Sequence, residues 1–441
     1  MPLMHGLYDL LYILALLVGW PWLIYRRLTR GPGSLALGER LTPPPSRPVA
    51  SQCVWIHGVS LGEINATRTL VAALRLHAPT AVVVVSSTTA TGLSRARELY
   101  PKLINFRFPL DFSFVLRRVF ERVRPSIIVL MELELWPNLL EVAHARGVPV
   151  VIANGRVTHE RSVRRFNHLL IRPFARRMFA RLSWVGAQDA TYAGRFSALG
   201  TPSGRIDVTG SMKYDAADIT DHIDGQEQLA EEMGIDPRRP LWVCGSTGPG
   251  EEAAILDAYS TLLEQYADLQ LAIVPRKPER FDQVADLIVQ RGFACLRRSG
   301  GKPAVPRNES PPRPVFLGDT MGELRKFYAL ARFVFVGRTL TPLGGSDVME
   351  VAGLRKPMIV GPHLENFAEA ESLLRDAGGF VQIQRDAELA GAVEGLLRDP
   401  ARAEATGAAA RGAIESRRGA TERTVAKIMM LLQTPAGKRR D

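Results

Sequence analysis

Cysteine is scarce in this chain of 441 residues, which contains only Cys53, Cys244 and Cys295. They lie far apart, form no CxxC pair and have no histidine at zinc-ligand spacing. Each lies in an apolar, strand-like run, so we expect three buried structural thiols. The low count is typical of a reducing compartment and argues against a disulfide-stapled secreted protein.

Histidine motifs and phosphate-loop motifs are missing as well. The eight histidines do not cluster and no HExxH motif occurs, which argues against a zinc hydrolase. No GxxxxGK[ST] segment is present, so an ordinary P-loop protein is not indicated.

Acidic residues are fewer than basic ones, 45 Asp and Glu against 56 Lys and Arg, which gives a formal net charge of +11. This excess favours an anionic partner such as nucleic acid, anionic lipid or a phosphorylated substrate, and charge alone does not select among them. The length exceeds what one hydrophobic core usually supports, so two domains are expected. The hydrophobic fraction of 46% is sufficient for substantial cores.

The first 30 residues differ from the rest of the chain. The apolar run Leu10–Tyr25 ends at Arg26 and Arg27, and it lacks the basic start and small-residue cleavage site of a signal peptide. The run is shorter than the ~20 residues that cross a bilayer, and Pro21 weakens a straight helix. The tryptophan and arginine flanks favour a cytoplasmic position for the rest of the chain. We predict a membrane anchor over residues 1–30, either spanning the membrane or lying in its interface.

Beyond the anchor, apolar β-branched runs alternate with helical patterns in two successive series. Continuous apolar strands separated by helices are typical of parallel sheets covered on both faces, so we predict two Rossmann-like α/β domains. Ligands of such domains bind where the carboxyl ends of the strands meet, here in a cleft between the domains. The predicted order is a linker over 31–50, a first domain over 51–211, a hinge over 212–239, a second domain over 240–434 and a tail over 435–441.

The individual elements follow from the same patterns. Strands are predicted at 53–56, 81–85, 126–131, 148–153, 184–187 and 206–208, and then at 241–244, 270–274, 315–317, 333–336, 358–360 and 380–383. Helices are predicted at 62–77, 112–123, 137–146, 250–266, 278–290, 321–330, 366–376 and 387–397. Residues 299–314 are interpreted as a surface loop.

Carboxylates follow two strands of the first domain. A turn after the strand at 53–56 delivers Glu63 into the first turn of a helix, where unpaired N–H groups stabilise its ionised form. The residue is either a partner of the helix dipole or a general base. Glu132 and Glu134 follow another strand and would share one face if the chain stayed extended. Buried carboxylates need a partner, and Lys213 is the candidate cation, in a functional site or in a structural ion pair.

Four strand-end turns of the second domain favour anion binding. Residues 246–251 join a strand to a helix, a geometry that presents backbone N–H groups to a phosphate. Arg276 directly follows the next strand and suits a phosphate or a base edge. GDTMGELR at 318–325 and LGGSDVMEVA at 343–352 repeat the strand-turn-helix pattern. Together these turns indicate a nucleotide site at one sheet edge.

A basic amphipathic stretch, RSVRRFNHLLIRPFARRMFAR, covers residues 161–181. It fits a solvated helix face and a surface that meets anionic lipid about equally well. Both interpretations stay open on the sequence.

These motifs together resemble the 3-deoxy-D-manno-octulosonic acid (Kdo) transferases of Gram-negative bacteria, inner-membrane enzymes with the GT-B fold. The resemblance covers nearly the whole chain. Its ordered matches are GERL (38–41), VSLGE (59–63), TATG (89–92), FPLD (108–111), MELELWPN (131–138), HERS (159–162), VTGSMKYD (208–215), GEE (250–252), VPRKPERF (274–281), GDTMGEL (318–324), GPHLENF (361–367) and RGA (418–420).

The resemblance implies an inverting glycosyltransferase that moves Kdo from CMP-Kdo to a lipid A precursor (lipid IVA) in lipopolysaccharide core biosynthesis. It implies a location at the cytoplasmic face of the bacterial inner membrane, with an anionic membrane surface as partner and no nucleic acid. It also implies no metal and no cofactor, which agrees with chemistry, because the single phosphate of a CMP leaving group can be stabilised by Lys, Arg and helix N-termini.

The same resemblance assigns roles to residues. Glu63 corresponds to the general base, and Glu132 and Lys213 correspond to stabilisers of the transition state. The site for the CMP half of the donor corresponds to Pro275, Arg276, Met321, Gly322, Glu323, Asp347, Val348, Met349 and Glu350.

Three positions depart from the family pattern. Residues 344–347 read GGSD where the family commonly has GGHN, residues 246–252 lack the family's histidine, and Leu133 replaces a threonine. A carboxylate at Asp347 would repel a phosphate unless it points away or pairs with a cation. Two alternatives therefore stay beside Kdo transfer: another CMP- or UDP-activated sugar as donor, and an inactive binder of anionic glycolipid. Retention of Glu63, Glu132 and Lys213 argues against the inactive binder.

Overall fold

The computed structural model describes residues 3–30, 37–47, 51–158, 163, 166, 168–169, 171–300 and 313–433. Parts of the predicted linker and of the loop at 299–314 lie outside the described residues, as do the whole HERS motif and the tail at 435–441. The chain divides into two compact units, Met1–Ala216 with Arg417–Asp441, and Ala217–Ser416.

The first unit contains a seven-stranded sheet in the order β3-β2-β1-β4-β5-β6-β7, with every neighbouring pair parallel. Its strands are β1 (Cys53–Gly58), β2 (Val82–Ser87), β3 (Ile104–Arg107), β4 (Ile127–Met131), β5 (Val150–Gly155), β6 (Trp184–Ala187) and β7 (Ile206–Val208). The central strands are buried along their whole length because helices cover both faces.

The helices of this unit connect successive strands or flank the sheet. They are α1 (Leu3–Arg30), α2 (Leu37–Leu41), α3 (Leu61–His77), α4 (Ala90–Leu99), α5 (Ser113–Val123), α6 (Pro137–Ala145), α7 (Arg172–Ala180), α8 (Ala190–Leu199) and α9 (Met212–Asp215). The last helix of the chain, α18 (Ala420–Gln433), also belongs to this unit and packs against α3.

The second unit repeats the architecture with a parallel sheet in the order β10-β11-β9-β8-β12-β13-β14. Its strands are β8 (Leu241–Thr247), β9 (Gln270–Pro275), β10 (Ala294–Arg297), β11 (Pro314–Leu317), β12 (Phe333–Val336), β13 (Met358–Val360) and β14 (Val381–Gln382). Its helices are α10 (Gln226–Met233), α11 (Glu251–Leu263), α12 (Phe281–Gln290), α13 (Leu324–Leu330), α14 (Val348–Gly353), α15 (Ala368–Asp376), α16 (Leu389–Arg398) and α17 (Pro400–Ser416).

The predicted α/β class with two parallel sheets is confirmed, and all twelve predicted strands are present, four of them with the predicted ends and the others with shifted ends. The strands β3 and β10 are not predicted; each has four residues and ends in an arginine. Several helices are also not predicted, among them the long helices α17 and α18. Two of the others, α4 and α8, each have a side-chain cap at the start, Thr89 and Asp189 respectively. The three cysteines are free and buried, as expected.

Helix α1 packs on the first unit through polar contacts near its start. The Asp9 carboxylate accepts hydrogen bonds from the backbone N–H (2.9 Å) and the hydroxyl (2.5 Å) of Ser113 and from the side-chain amide of Asn138 (2.9 Å). The Tyr12 hydroxyl donates to Asp111 (2.9 Å). Within the described part of the chain, no helix is long and apolar enough to cross a membrane.

Candidate active site

Glu63 lies at the start of α3, just beyond the carboxyl end of β1. Its carboxylate accepts hydrogen bonds from the backbone N–H of Val59 (2.9 Å) and the hydroxyl of Ser60 (3.0 Å), while Ser60 Oγ accepts the N–H of Glu63 (3.3 Å). This reciprocal pattern is a variant of the capping box, in which the Glu63 side chain accepts the N–H of Val59, one residue before the N-cap. Gly58 leaves space for it, because a Cβ there would lie 3.2 Å from the Cβ of Glu63. Glu63 therefore takes part in capping the helix. The same contacts hold its half-exposed carboxylate in place at the sheet edge.

Residues 58–62 read GVSLG, which matches the GxSxG pattern of a nucleophile elbow. Ser60, however, has φ −103° and ψ 166°, ordinary extended backbone rather than a strained turn. Its hydroxyl is engaged with Glu63. The serine therefore serves as a helix cap in this structure.

Glu132 and Glu134 follow β4, the strand beside β1, and with Glu63 they form what we call the carboxylate cluster. Glu132 has φ 57°, so the chain leaves the extended conformation at once and the two residues do not continue one strand face. Burial raises the pKa of Glu132, and the contact with Arg156 opposes that rise. Burial and the charges of Glu63 and Glu132 raise the pKa of Glu134 to about 7. Glu134 is therefore the carboxyl group of the cluster whose pKa lies near neutral pH.

Arg156 is the cation in contact with Glu132, with Nε and Oε2 2.7 Å apart. The sequence suggests Lys213 for this role, so Arg156 is a site residue that sequence reasoning misses. It directly follows β5, which adjoins β4 in the sheet. Arg156 could have been identified from the sequence as a basic residue that directly follows a predicted strand.

Lys213 lies in α9, beyond the end of β7, with its ammonium 5.0 Å from the centre of the Tyr214 ring. Asn154, at φ 55° in β5, accepts the backbone N–H of Met212 with its side-chain oxygen (3.1 Å). The Asp215 carboxylate accepts two further N–H groups from residues 419 and 421 (2.6 Å each). These contacts anchor the VTGSMKYD segment to β5 and to the RGA motif.

The FPLD motif supports the loop that carries Glu134. Phe108 stacks on His57 (ring centres 4.0 Å apart) and lies against Trp136 (5.3 Å). Burial lowers the pKa of His57 to about 3, so this imidazole is neutral. The Asp111 carboxylate accepts two backbone N–H groups at the start of α6 (2.9 Å each), directly after that loop.

In the second unit, Glu251 joins two strand-end loops. Its fully buried carboxylate accepts four backbone N–H groups, from Gly248 (2.8 Å), Arg338 (2.6 Å), Thr339 (2.9 Å) and Leu340 (3.0 Å). The prediction that the turn at 246–251 offers its N–H groups to a phosphate is therefore wrong for Gly248, whose donor is already used. The turn instead fixes the loop that leads from β12 to α14.

The GEE and VPRKPERF motifs also contact each other. Arg280 and Glu252 form a bidentate ion pair with N–O distances of 2.6 and 2.9 Å, and Glu252 is buried. Arg280 therefore has a structural role. Arg276 remains exposed at the end of β9.

Arg276, Glu350 and Asp347 lie together at the carboxyl edge of this sheet. Burial and the charge of Asp347 raise the pKa of Glu350, and the charges of Arg325 and Arg276 lower it. Asp347 is the N-cap of α14 and accepts the backbone N–H of Met349 (2.9 Å). Asn and Asp cap helices about equally well, so GGSD retains the capping function that an asparagine would have here.

The other predicted donor-site residues differ in exposure. Met321 is 65% exposed and Gly322 has φ 87°. Glu323 is engaged by Arg298, Thr320 and Lys326 at 2.8, 2.6 and 3.2 Å, and the hydrogen bond to Arg298 lowers its pKa to about 2. Val348 is fully buried, Met349 is half-buried and Pro275 ends β9. The side chains of Glu323 and Val348 therefore support the fold.

Comparisons with known proteins match this architecture. The sequence model of a family described as 3-deoxy-D-manno-octulosonic-acid transferase (kdotransferase) matches residues 36–216. The chain is 34% identical over 388 residues to the 3-deoxy-D-manno-octulosonic acid transferase of Haemophilus influenzae, covering 88% of this chain and 87% of that protein. It is 33% identical over 440 residues to the protein of the same name from Bordetella pertussis, covering 96% and 98%.

Among solved structures, UDP-GlcNAc 2-epimerase from Neisseria meningitidis bound to UDP-GlcNAc is similar, with a TM-score of 0.55 and 14% identity over 86% of this chain and 100% of that chain. At this identity the likeness concerns the fold alone. Two parallel sheets with such neighbours, together with the relatives in sequence, define a glycosyltransferase with a GT-B-like fold. More narrowly, the chain belongs to the 3-deoxy-D-manno-octulosonic acid transferase family and is an enzyme of Kdo transfer in lipopolysaccharide biosynthesis.

Proposed function

We propose that this chain moves Kdo from CMP-Kdo to lipid IVA by an inverting displacement with Glu63 as general base. The acceptor hydroxyl oxygen bonds to the anomeric carbon of Kdo while the bond from that carbon to the CMP phosphate breaks. The hydroxyl proton passes to the Glu63 carboxylate. The observation that carries this proposal is the fixed, half-exposed carboxylate at the carboxyl edge of the first sheet, in a chain of this family.

Glu132 and Lys213 are proposed to stabilise the transition state. Positive charge develops at the anomeric carbon as the donor bond breaks, and a carboxylate held by Arg156 suits that charge. An ammonium group suits the phosphate of departing CMP.

The donor is proposed to bind the second unit through its CMP half. Arg276 is exposed beside Glu350. Its guanidinium can bind the phosphate, and the Glu350 carboxylate can accept hydrogen bonds from the ribose hydroxyls. One phosphate needs no metal ion when cations and N–H groups surround it. The capping contact of Asp347 accounts for an aspartate in place of the asparagine of the family pattern.

Attachment to the cytoplasmic face of the inner membrane is proposed through the free face of α1. Leu17 and Val18 on this helix are 67% and 83% exposed, and Leu169 and Phe174 of the first unit are exposed as well. Of the basic stretch at 161–181, Arg161, Arg164 and Arg165 lie outside the described residues. Arg177 and Arg181 pair with Glu141, so these two arginines have a structural role.

The membrane proposal is tested with vesicles containing anionic lipid. Leu17→Asp should weaken flotation with the vesicles, whereas Leu76→Asp should not, since Leu76 is an equally exposed leucine (75%) on α3. Equal binding by both variants would contradict the role of α1.

The transfer reaction is tested by incubating purified protein with CMP-Kdo and lipid IVA and measuring the mass of the lipid product by mass spectrometry. Product carrying Kdo is expected with EDTA present and not with a UDP-sugar as donor. The control for Glu63→Gln is Glu98→Gln, which makes the same substitution at an exposed glutamate on α4. A strict requirement for Mg²⁺, or transfer only from another donor, would contradict the proposal.

A further inference from the structure

Two arginines lie near each other at the carboxyl edge of the first sheet. Arg40 comes from α2 and donates its Nε hydrogen to the carbonyl oxygen of Phe108 (3.2 Å). Arg107 is the last residue of β3, immediately before Phe108. Both side chains are half-buried, and burial together with the charge of Arg107 lowers the pKa of Arg40. The two guanidinium groups therefore repel each other.

Neither arginine has a carboxylate partner within the described residues. The buried Nε of Arg107 has no hydrogen-bond acceptor there, and Arg40 reaches only a carbonyl oxygen. Some other arginines of the same unit are paired with acids, for example Arg156 with Glu132. A buried N–H without an acceptor and two adjacent like charges both destabilise the fold. A bound oxyanion would relieve both.

The pair lies on the row of strand ends that carries the carboxylate cluster. Arg107 is in register with Ser87 at the end of β2, and β2 adjoins β1, whose end leads to Glu63. Thr88 follows Ser87, and its hydroxyl is 3.4 Å from Nε2 of His57. Since neighbouring strands are about 4.8 Å apart, β3 and β1 are separated by roughly 10 Å. One sugar ligand can reach both positions.

We propose that Arg40 and Arg107 bind a phosphate monoester of the acceptor and thereby help to select the hydroxyl that reaches Glu63. Guanidinium groups bind phosphate oxygens in a bidentate manner. Two guanidinium charges match the doubly charged phosphate monoester better than the single charge of a carboxylate. This inference rests on the proposed function, in which Glu63 of the first unit takes the proton of the lipid IVA hydroxyl.

The first arm of the test compares acceptors. Arg107→Gln should raise the KM for phosphorylated lipid IVA by about 10- to 100-fold, the loss of one charge-assisted contact. With acceptor from which the phosphate has been removed enzymatically, the variant and the wild type should have the same KM, and the KM for CMP-Kdo should not change. Arg118→Gln, on the exposed side of α5, is the matched control. Equal losses on both acceptors, or no loss on either, would overturn the proposal.

The second arm needs no transfer and uses inorganic phosphate on protein saturated with CMP, so that the nucleotide site is already filled. Phosphate should raise the Tm of the wild type and of Arg118→Gln but not that of Arg107→Gln. Without phosphate, Arg107→Gln should melt at or above the wild-type temperature because it removes a repulsion. A phosphate effect retained in Arg107→Gln overturns the proposal, and so does a Tm several degrees lower without phosphate. If the wild type does not transfer Kdo, only the proposed function is contradicted. The Tm measurements with phosphate would still show whether the two arginines bind a phosphate.

Discussion

Replacing Glu251 with glutamine should release the loop that follows β12. The carboxylate accepts four buried N–H groups, two on each oxygen. A glutamine amide has one oxygen, so in either orientation two N–H groups face an NH2 group and lose their acceptor. Each buried donor left without an acceptor costs about 1–3 kcal/mol, which predicts a loss of roughly 2–6 kcal/mol in the free energy of unfolding of the second unit. For a unit of this size that is a Tm lower by on the order of 10 °C.

The assay is thermal unfolding with and without CMP, using Glu264→Gln as the control, an exposed glutamate at the end of the same helix α11. Because the released loop leads into the cap of α14, CMP should also bind more weakly to Glu251→Gln than to the control. A Tm within about 2 °C of wild type together with unchanged CMP affinity would refute the reasoning that this carboxylate holds the donor loop.

The remaining predictions concern charge at the two sheet edges. The pKa of Glu134 is raised to about 7, so its stabilising contribution is present below the unfolded pKa near 4.5 and is lost as the pH rises through 7. Thermal unfolding should therefore show the Tm of Glu134→Gln rising relative to wild type between about pH 5 and pH 8, and a difference that does not vary with pH would be inconsistent with this assignment. Arg276→Ala should weaken CMP binding about 10- to 100-fold by calorimetry without changing the Tm of the free protein, since its exposed guanidinium is available to the nucleotide phosphate. Unchanged CMP affinity would remove Arg276 from the donor site.

The sheets could be predicted because their strands are continuous apolar runs that the sequence displays directly. Glu63 could be placed at a helix start for the same reason, since a strand, a glycine-containing turn and a helix follow one another. Arg156 could not be paired with Glu132 in advance, because the pairing depends on β5 lying beside β4 in the sheet order. Strand order is a tertiary property that local periodicity does not contain.

The roles of several carboxylates were equally hidden. Asp9 lies in an apolar segment, yet its partners are Ser113 and Asn138, more than 100 positions away. Glu251 contacts a loop nearly 90 positions further along the chain. Asp347 is unfavourable beside a phosphate on the sequence alone, and only its contact with Met349 identifies it as a helix cap. Long-range polar contacts have no period that a sequence displays.

The most direct test of the central claim is the turnover number of Glu63→Gln measured beside Ser60→Ala. Glutamine can keep the hydrogen bonds of the capping box but cannot take up a proton, so kcat should fall by ~10²–10⁴-fold at nearly unchanged Tm. Ser60→Ala removes the cap and should lower stability by about 0.5–2 kcal/mol. It should lower kcat far less than Glu63→Gln does, because the N–H of Val59 still holds the carboxylate. The opposite result, near-normal turnover with reduced stability in Glu63→Gln, would show that Glu63 is only a helix cap and that the base lies elsewhere.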